Sequence, residues 1–226
     1  MRAARVERPG DLSEALAKLG LADPTPTLVV VGGAGGLGPA ELERLEPVVG
    51  ELAAAAERAG AAVVDGGTDV GVMRLVGRTR ARGRAFPLVG VAVDALVGEA
   101  DDLVDVEPNH GGILLVPGAE WGDEVPWLAR VADVLAAGAP SLTVLVDGGE
   151  ISYADAAASV ESGRRVVALA GTGRIADEVA AAARGAPSDE RAHRLVESGL
   201  VYVVEVREDA RGRVAAEVER MLLERS

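Results

Sequence analysis

The sequence is organised by short apolar runs that each end in glycines and then give way to a stretch with helical spacing. Four such units occur: "LVVV" precedes "GGAGG", "AAVV" precedes "DGGTDVG", "LTVLV" precedes "DGGEIS", and "VVAL" precedes "AGTGRIAD". The runs are continuously apolar rather than alternating, which is typical of parallel strands buried on both faces. Strand and helix in alternation predict a doubly wound α/β fold, with a mostly parallel sheet and helices on both faces.

Further segments extend this pattern toward both ends of the chain. The runs "LVGVAV" at 88–93 and "GILLV" at 112–116 predict two more strands, and "LVYVVEV" with "RVAAEVERMLLER" predicts a late strand and a final helix. Near the start, Asp11 and a glutamate three residues on predict a capped helix. Pro47 predicts the first turn of another helix. Because no linker is long enough to divide it, the chain is predicted to form a single domain over 1–226.

Composition excludes several classes of function. The chain is 49% hydrophobic but only 2% aromatic, so its core must be built from valine, leucine and alanine. The 36 acidic and 23 basic residues give a net charge of −13, which disfavours binding to nucleic acid. With no cysteine and two histidines, thiolate and histidine-rich metal sites are excluded. No run approaches the roughly 20 apolar residues of a membrane span, and the start lacks a signal peptide, so we predict a soluble, cytoplasmic protein.

The glycine-rich turns are the first candidates for a binding site. In an open α/β sheet, ligands bind outside the carboxyl ends of the strands, where all four turns are expected. Glycine lets backbone N–H groups approach a phosphate, and each following helix adds its positive N-terminus. The first turn also reads G-x-G-x-x-G from Gly33 to Gly38, which fits a dinucleotide fingerprint, another phosphate cradle or only a tight turn. Together the four turns favour a nucleotide-like ligand.

Charged residues near these turns add candidates. Arg174 opens a helix in "GTGR", where a guanidinium can grip phosphate with two donors, and Asp177 on the same helical face is expected to hold it. Asp65, Asp69 and Asp147 follow strands directly, and each either accepts ribose hydroxyls or serves as a helix cap or turn residue.

Other conspicuous residues have a structural explanation as well as a functional one. Five arginines at 74–84 favour a solvated helix face that pairs with acidic side chains. His110, in "EPNHGG", is either structural or catalytic. Trp121 and Trp127 either stack on a base or pack in the core or an interface.

Several mechanisms fail because the required residues are missing. The single lysine, Lys18, lies outside every glycine turn, which excludes a Walker A nucleotide triphosphatase. No G-x-S-x-G motif supports a hydrolase nucleophile. A dehydrogenase would need an acid or base for hydride transfer and a substrate domain, and the sequence offers neither.

Taken in order, the motifs resemble those of a known superfamily. The segments "VVVGG", "VVDGGTDVGVMRLVG", "NHGGILLVPGAEWGDEVPWLARVADVL", "LTVLVDGG" and "RRVVALAGTGRIADEVA" resemble the SLOG superfamily of Rossmann-like ligand-binding domains. Within it they are similar to prokaryotic relatives of the N-terminal SLOG domain of TRPM cation channels, over roughly 28–183. The resemblance implies a sensor for a nucleotide-derived small molecule, such as ADP-ribose or a cyclic relative, and makes the first turn a phosphate or ribose cradle.

The resemblance also implies a set of ligand contacts. It does not imply ion transport, a cofactor, a metal or a catalytic residue. Signal output would pass through a homo-oligomer or a separate effector protein. The implied contacts are Gly32, Gly33, Gly35, Gly66, Gly67, Thr68, Gly148, Gly149, Glu150, Gly171, Thr172, Gly173 and Arg174.

An enzyme is the alternative, because the same superfamily contains LOG-type phosphoribohydrolases, which cleave the base from a nucleoside monophosphate. Their signature is Pro-Gly-Gly-x-Gly-Thr-x-x-Glu, and here the loop reads "DGGEISYADA". Asp147 replaces the proline, Ile151 the third glycine and Ser152 the threonine, while Asp155 stands at the glutamate position. Glu150 or Asp155 remains available as an acid or base. The DNA-binding DprA-like members are disfavoured by the net charge.

Overall fold

The computed structural model describes residues 1–98, 103–207, 209 and 212–224. Its strands form one sheet in which every pairing is parallel, in the order β1-β5-β4-β3-β2-β6-β7-β8. This confirms the predicted α/β class, and the described sheet is entirely parallel. The strands are β1 Arg2–Arg5, β2 Thr27–Gly32, β3 Ala62–Asp65, β4 Leu88–Val93, β5 Gly112–Val116, β6 Ser141–Val146, β7 Arg165–Ala170 and β8 Val201–Glu205.

Helices cover both faces of this sheet. None in the described part of the chain is long and apolar enough to cross a membrane. Two short 3₁₀ turns, Pro9–Asp11 and Asp94–Leu96, accompany them. The helices are α1 Leu12–Leu19, α2 Pro39–Ala59, α3 Gly71–Ala81, α4 Val125–Ala136, α5 Glu150–Glu161, α6 Arg174–Ala183, α7 Glu190–Glu197 and α8 Arg213–Leu223.

The two faces of the sheet carry separate hydrophobic cores. In β2, Val29 and Val31 pack into the core beneath α1, α4, α5, α6 and α7. Leu28 and Val30 pack into the core beneath α2, α3 and α8. Since successive side chains of a strand point to opposite faces, a strand buried on both must be apolar at every position. This explains the continuous apolar runs of the sequence.

The order of the strands defines where the chain changes direction across the sheet. From β2 the chain moves to β3 and β4 on one side, and it later returns to place β6 on the other side of β2. β2 and β6 pair from Thr27↔Ser141 to Gly32↔Val146. The loops that follow these two strands therefore diverge at a topological switch point, which is where open α/β sheets bind ligands.

Two local expectations are wrong. The Asp11 side chain makes no cap hydrogen bond to α1; it ends a 3₁₀ turn and pairs with Arg8. Pro47 lies inside α2, because Pro39 already occupies the first turn and the helix continues through Pro47. A proline inside a helix forgoes one backbone hydrogen bond. In α2 this hydrogen bond is lost at Pro47, while the next residue, Val48, is buried in the core.

Candidate functional site

A cavity of about 400 Å³ opens at the switch point. This volume lies within the ~300–1,000 Å³ of typical small-molecule sites. Gly32 and Gly35 border it from the first glycine loop, Gly66 and Thr68 from the second, and Gly149 from the start of α5. These are the predicted contacts that the cavity brings together. The other predicted contacts do not line it: Gly33, Gly67, Gly148, Glu150, Gly171, Thr172, Gly173 and Arg174.

The first glycine loop presents backbone donors beside this cavity. The N–H groups of Ala34, Gly35 and Gly36 donate no hydrogen bond to any described residue, and all three residues are exposed. Gly33 itself is enclosed, because a Cβ there would overlap the side chains of Arg174 and Asp147. Only glycine therefore allows the loop to pass over that ion pair, and free N–H groups of this kind form an anion-binding concavity.

Arg174 lies against Asp147, at the end of β6. Its Nε donates to Asp147 Oδ2 at 2.8 Å, and its Nη2 donates to the same oxygen. The Asp147 side chain is 4% exposed and that of Arg174 is 41% exposed. Both residues have a positive φ, +58° and +37° respectively, a region that non-glycine residues adopt only under strain. The buried carboxylate therefore holds the guanidinium at the protein surface.

The remaining terminal nitrogen of Arg174 points between two glycine turns. Nη1 donates no hydrogen bond to any described residue; it lies 3.9 Å from where a Cβ would stand at Gly36 and 4.0 Å from where one would stand at Gly149. The expectation that Asp177 holds Arg174 is wrong, since Asp177 Oδ1 instead accepts a hydrogen bond from the Gly171 N–H at 2.5 Å. Helical spacing identified a neighbour on the same helix, whereas the actual partner is Asp147, the residue that follows β6.

The 171–173 turn is held together from within the protein. Arg44 of α2 donates from Nη1 to the Gly171 carbonyl at 2.6 Å and from Nη2 to the Thr172 carbonyl at 2.8 Å. Thr172 is fully buried, and its Oγ1 accepts from the Asp147 N–H at 2.8 Å. Thr172 thus orients the Asp147 backbone instead of facing the cavity. Arg44 was missed because nothing in the sequence distinguishes it from the other polar residues of α2.

A buried charged cluster lies behind the second glycine turn. We call Asp65, Glu107 and His110 the paired cluster, because His110 bridges the two carboxylates. His110 Nε2 lies 2.8 Å from Asp65 Oδ1, and Nδ1 lies 2.9 Å from Glu107 Oε2. Asp65 Oδ1 also accepts from the Gly67 N–H at 2.8 Å, and Glu107 donates its own N–H to the Gly67 carbonyl at 2.9 Å. The cluster therefore clamps the turn whose Gly66 and Thr68 line the cavity.

Electrostatics shift the pKa values of His110 and Glu107 in opposite directions. Burial by itself lowers the pKa of His110, but Asp65 and Glu107 outweigh it and raise the pKa to about 9. Burial by itself raises the pKa of Glu107, but hydrogen bonds from His110 and Asn109 outweigh it and lower that pKa. Because both ring nitrogens are occupied, His110 has none free for a metal, and the described residues contain no metal-binding group of three or more acidic or histidine side chains. Asp65 is fully buried, so its carboxylate does not reach a ligand.

A second pair of carboxylates, Glu124 and Asp155, faces the cavity itself; we call it the cavity pair. Burial raises the pKa of Asp155 to about 7, and the nearby charge of Glu124 adds to the effect. The Asp155 carboxylate accepts no hydrogen bond from any described residue, whereas Glu124 Oε2 accepts the Gly122 N–H at 2.8 Å. Glu150 points away, with its side chain 82% exposed and paired with Arg191.

Arginines of the 74–84 segment form ion pairs with acidic side chains. Arg74 pairs with Asp69 at 2.8 Å, and Arg84 with Glu57 at 2.8 Å. These pairs agree with the interpretation of 74–84 as a helix face that pairs with acidic side chains.

The two tryptophans differ in their exposure to solvent. Trp127 is 9% exposed in the core beneath α4, whereas Trp121 is 41% exposed and lines the cavity. Only Trp121 is therefore placed to stack against a ligand in this cavity.

The chain was compared with protein-family models, curated proteins and solved structures. The model of a family described as SLOG in TRPM, prokaryote, matches residues 25–215, whereas the sequence matches no curated protein. The structure of TM1055, a Northeast Structural Genomics Consortium target, is similar at a TM-score of 0.59 and 22% identity, covering 86% of this chain and 98% of that one. The molybdenum cofactor carrier protein of Chlamydomonas reinhardtii is similar at 0.57 and 20% identity, covering 88% and 99%. At these identities both structures support the fold alone.

Proposed function

Because the chain belongs to the family described as SLOG in TRPM, prokaryote, we propose that it binds a nucleotide-derived small molecule such as ADP-ribose or a cyclic relative. The observation that carries the proposal is the position of Arg174 Nη1. It lies between the first glycine loop and Gly149; Arg174 does not line the 400 Å³ cavity itself, but Gly35 of that loop and Gly149 do. A phosphate placed there meets a guanidinium, free backbone N–H groups and the N-terminus of α5, while the cavity accommodates the base.

The proposed binding domain has no catalytic duty. Its signal passes either through assembly of several copies or through a separate effector protein. Both routes fit a cavity whose walls come partly from loops, since ordering those loops around a ligand changes the surface that a partner meets.

A thermal-shift panel tests the proposal. At a hundredfold excess over its dissociation constant, a ligand adds about 2.7 kcal/mol to the stability of the folded protein. The panel contains ADP-ribose, cyclic ADP-ribose, NAD, AMP, GMP and inorganic phosphate. A shift with one or more nucleotides that is lost in Arg174→Ala supports the site. Arg78→Ala is the matched control, because Arg78 is exposed and forms no ion pair among the described residues. If no nucleotide shifts the melting temperature, the proposal is wrong.

Phosphoribohydrolase activity is the second candidate, and Asp155 is the observation that favours it. A carboxyl group with a pKa of about 7 inside a cavity is suited to general acid or base chemistry near neutral pH. Incubation with AMP and CMP, followed by chromatography of the free base, tests this activity. Base release that disappears in Asp155→Asn but persists in Glu150→Gln would replace the binding function with the enzyme.

A further inference from the structure

The cavity pair is half-buried and receives little hydrogen-bond compensation from the protein itself. Asp155 accepts no hydrogen bond from any described residue, and Glu124 accepts one, from the Gly122 N–H at 2.8 Å. The cavity is lined by no described lysine, arginine or histidine. Its other walls are largely apolar and include Val30, Met73 and Leu128. Two like charges in such surroundings repel each other, and the energy falls when a ligand brings N–H donors.

We propose that the cavity pair selects a base with two adjacent N–H donors, which among the common nucleobases means guanine. This inference rests on the nucleotide binding of the proposed function, and it replaces the adenine of ADP-ribose with guanine as the preferred base. Guanine presents N1–H and its 2-amino group side by side, a pattern that matches the two oxygens of one carboxylate. Adenine and cytosine each place an acceptor beside their amino group, and uracil flanks its single N–H with two carbonyls. A carboxylate therefore meets a repelling lone pair on each of these three bases.

The remaining walls fit a planar ring. Trp121 is 41% exposed and borders the cavity together with Ile151, so a base can lie between an aromatic and an aliphatic surface. Gly149 borders the same cavity and also lies beside Arg174 Nη1. The phosphate and base positions therefore belong to one continuous site, with positive charge at the phosphate end and negative charge at the base end.

Calorimetry with GMP, IMP and AMP tests the selection. IMP keeps N1–H but lacks the 2-amino group, so it should bind about tenfold more weakly than GMP, the scale of one lost hydrogen bond to a charged group. AMP should bind about a hundredfold more weakly, because it also faces the carboxylate with a lone pair. Asp155→Asn should remove the preference for GMP, since an amide offers one donor and one acceptor. Glu161→Gln, an exposed position on the same helix, is the control and should keep the ranking.

The outcomes separate the two proposals. Equal affinity for GMP and AMP in the unmodified protein, or a preference for GMP that survives in Asp155→Asn, overturns the selection while leaving nucleotide binding intact. Absence of binding by all three nucleotides and by the rest of the panel overturns the proposed function and the selection with it. The GMP phosphate itself titrates at about pH 6, so Asp155→Asn provides the reference for pH dependence. A GMP affinity that increases from pH 6 to pH 8 more steeply in the unmodified protein than in Asp155→Asn supports the role of the ionised carboxylate, and an equal pH dependence in the two proteins contradicts it.

Discussion

Two pairs of carboxylates lie near the carboxyl edge of the sheet, and they differ in what stands between their members. In the paired cluster, His110 contacts Asp65 at 2.8 Å and Glu107 at 2.9 Å, and all three side chains are at most 1% exposed. In the cavity pair, no described cationic side chain accompanies Asp155 and Glu124. The first arrangement compensates its buried charge largely from within the protein, although Asp65 Oδ2 has no hydrogen-bond partner among the described residues. The second arrangement leaves that compensation to groups outside the protein.

This difference separates a structural role from a binding role. The paired cluster joins the end of β3 to the segment that holds Glu107 and His110, and it fixes the turn at Gly67 through two hydrogen bonds. Gly77 of α3 packs so closely over the Glu107 carboxyl that a Cβ there would overlap it. The cavity pair has no such enclosure. Two pairs of carboxylates near the same edge of the sheet thus have different roles, because their neighbouring groups differ.

Removing the bridging charge should have the largest effect. His110→Gln leaves two buried carboxylates without a cation, and breaking a buried pair in this way costs about 3–5 kcal/mol. Urea denaturation at pH 7 measures the loss. The control is His193→Gln, at the other histidine of the chain, which is half-buried in α7. It should change the free energy of unfolding by less than about 0.5 kcal/mol. A loss below about 1 kcal/mol for His110→Gln would show that the cluster does not depend on its cation.

Titration of the same histidine should give the next largest effect. Its folded-state pKa of about 9 lies above the ordinary 6.5, so its stabilising contribution is complete below pH 6.5 and is lost as pH rises through 9. The total loss amounts to about 3 kcal/mol. Unfolding free energies between pH 6 and pH 10, for the unmodified protein and His110→Gln, measure it. The difference between the two should shrink toward high pH; a constant difference would contradict the raised pKa.

Neutralising Asp155 should act with the opposite sign. Its folded-state pKa of about 7 lies above the ordinary 3.8, so the ionised form destabilises the fold. This penalty is absent below pH 3.8 and complete above pH 7. Asp155→Asn should therefore stabilise the ligand-free protein by about 2 kcal/mol at pH 8, half of what the full shift implies because the side chain is partly exposed.

The control for this gain lies on the same helix. Glu161→Gln should leave stability unchanged at every pH, since its side chain is exposed. The gain from Asp155→Asn should diminish as pH falls toward 4. A loss of stability at pH 8 would instead place Asp155 in an internal contact and remove the contrast between the two carboxylate pairs.

The sheet could be read from the sequence because each interior strand is apolar on both faces. β1 was not predicted, since "RAAR" lies at the edge of the sheet, has mostly exposed residues and pairs only with β5. α7 was also not predicted, because only Ala192 and Leu195 are buried along it. The apolar pattern thus identified the interior strands through their burial, and it identified the edge strand β8 through its run of valines although only Val204 of that strand is buried.

The site was harder to predict because its contacts join distant parts of the chain. Asp65 and His110 are 45 residues apart, and Arg44 reaches the Gly171 carbonyl across 127 residues. The glycine turns were recognised because glycine marks a local backbone requirement. Asp155 attracted attention only as a departure from a family signature, and its surroundings in the cavity depend on Glu124, which directly precedes α4.

The Arg174–Asp147 ion pair is intermediate between the paired cluster, which has its cation inside the protein, and the cavity pair, which has none among the described residues. Its loss should have the smallest effect on the free energy of unfolding. An exposed arginine without a buried partner would contribute little to the stability of the ligand-free fold. The structure instead pairs Arg174 with a carboxylate whose side chain is 4% exposed, so Arg174→Ala should cost about 1 kcal/mol, less than a fully buried charged hydrogen bond because Arg174 itself is 41% exposed. Arg174→Lys should recover part of this cost, since an ammonium supplies the charge without the guanidinium's two-donor geometry. Urea denaturation of both variants beside Arg78→Ala measures the series. If Arg174→Ala is as stable as Arg78→Ala, other groups compensate the charge of Asp147. The Arg174–Asp147 ion pair would then no longer stand between the enclosed paired cluster and the open cavity pair.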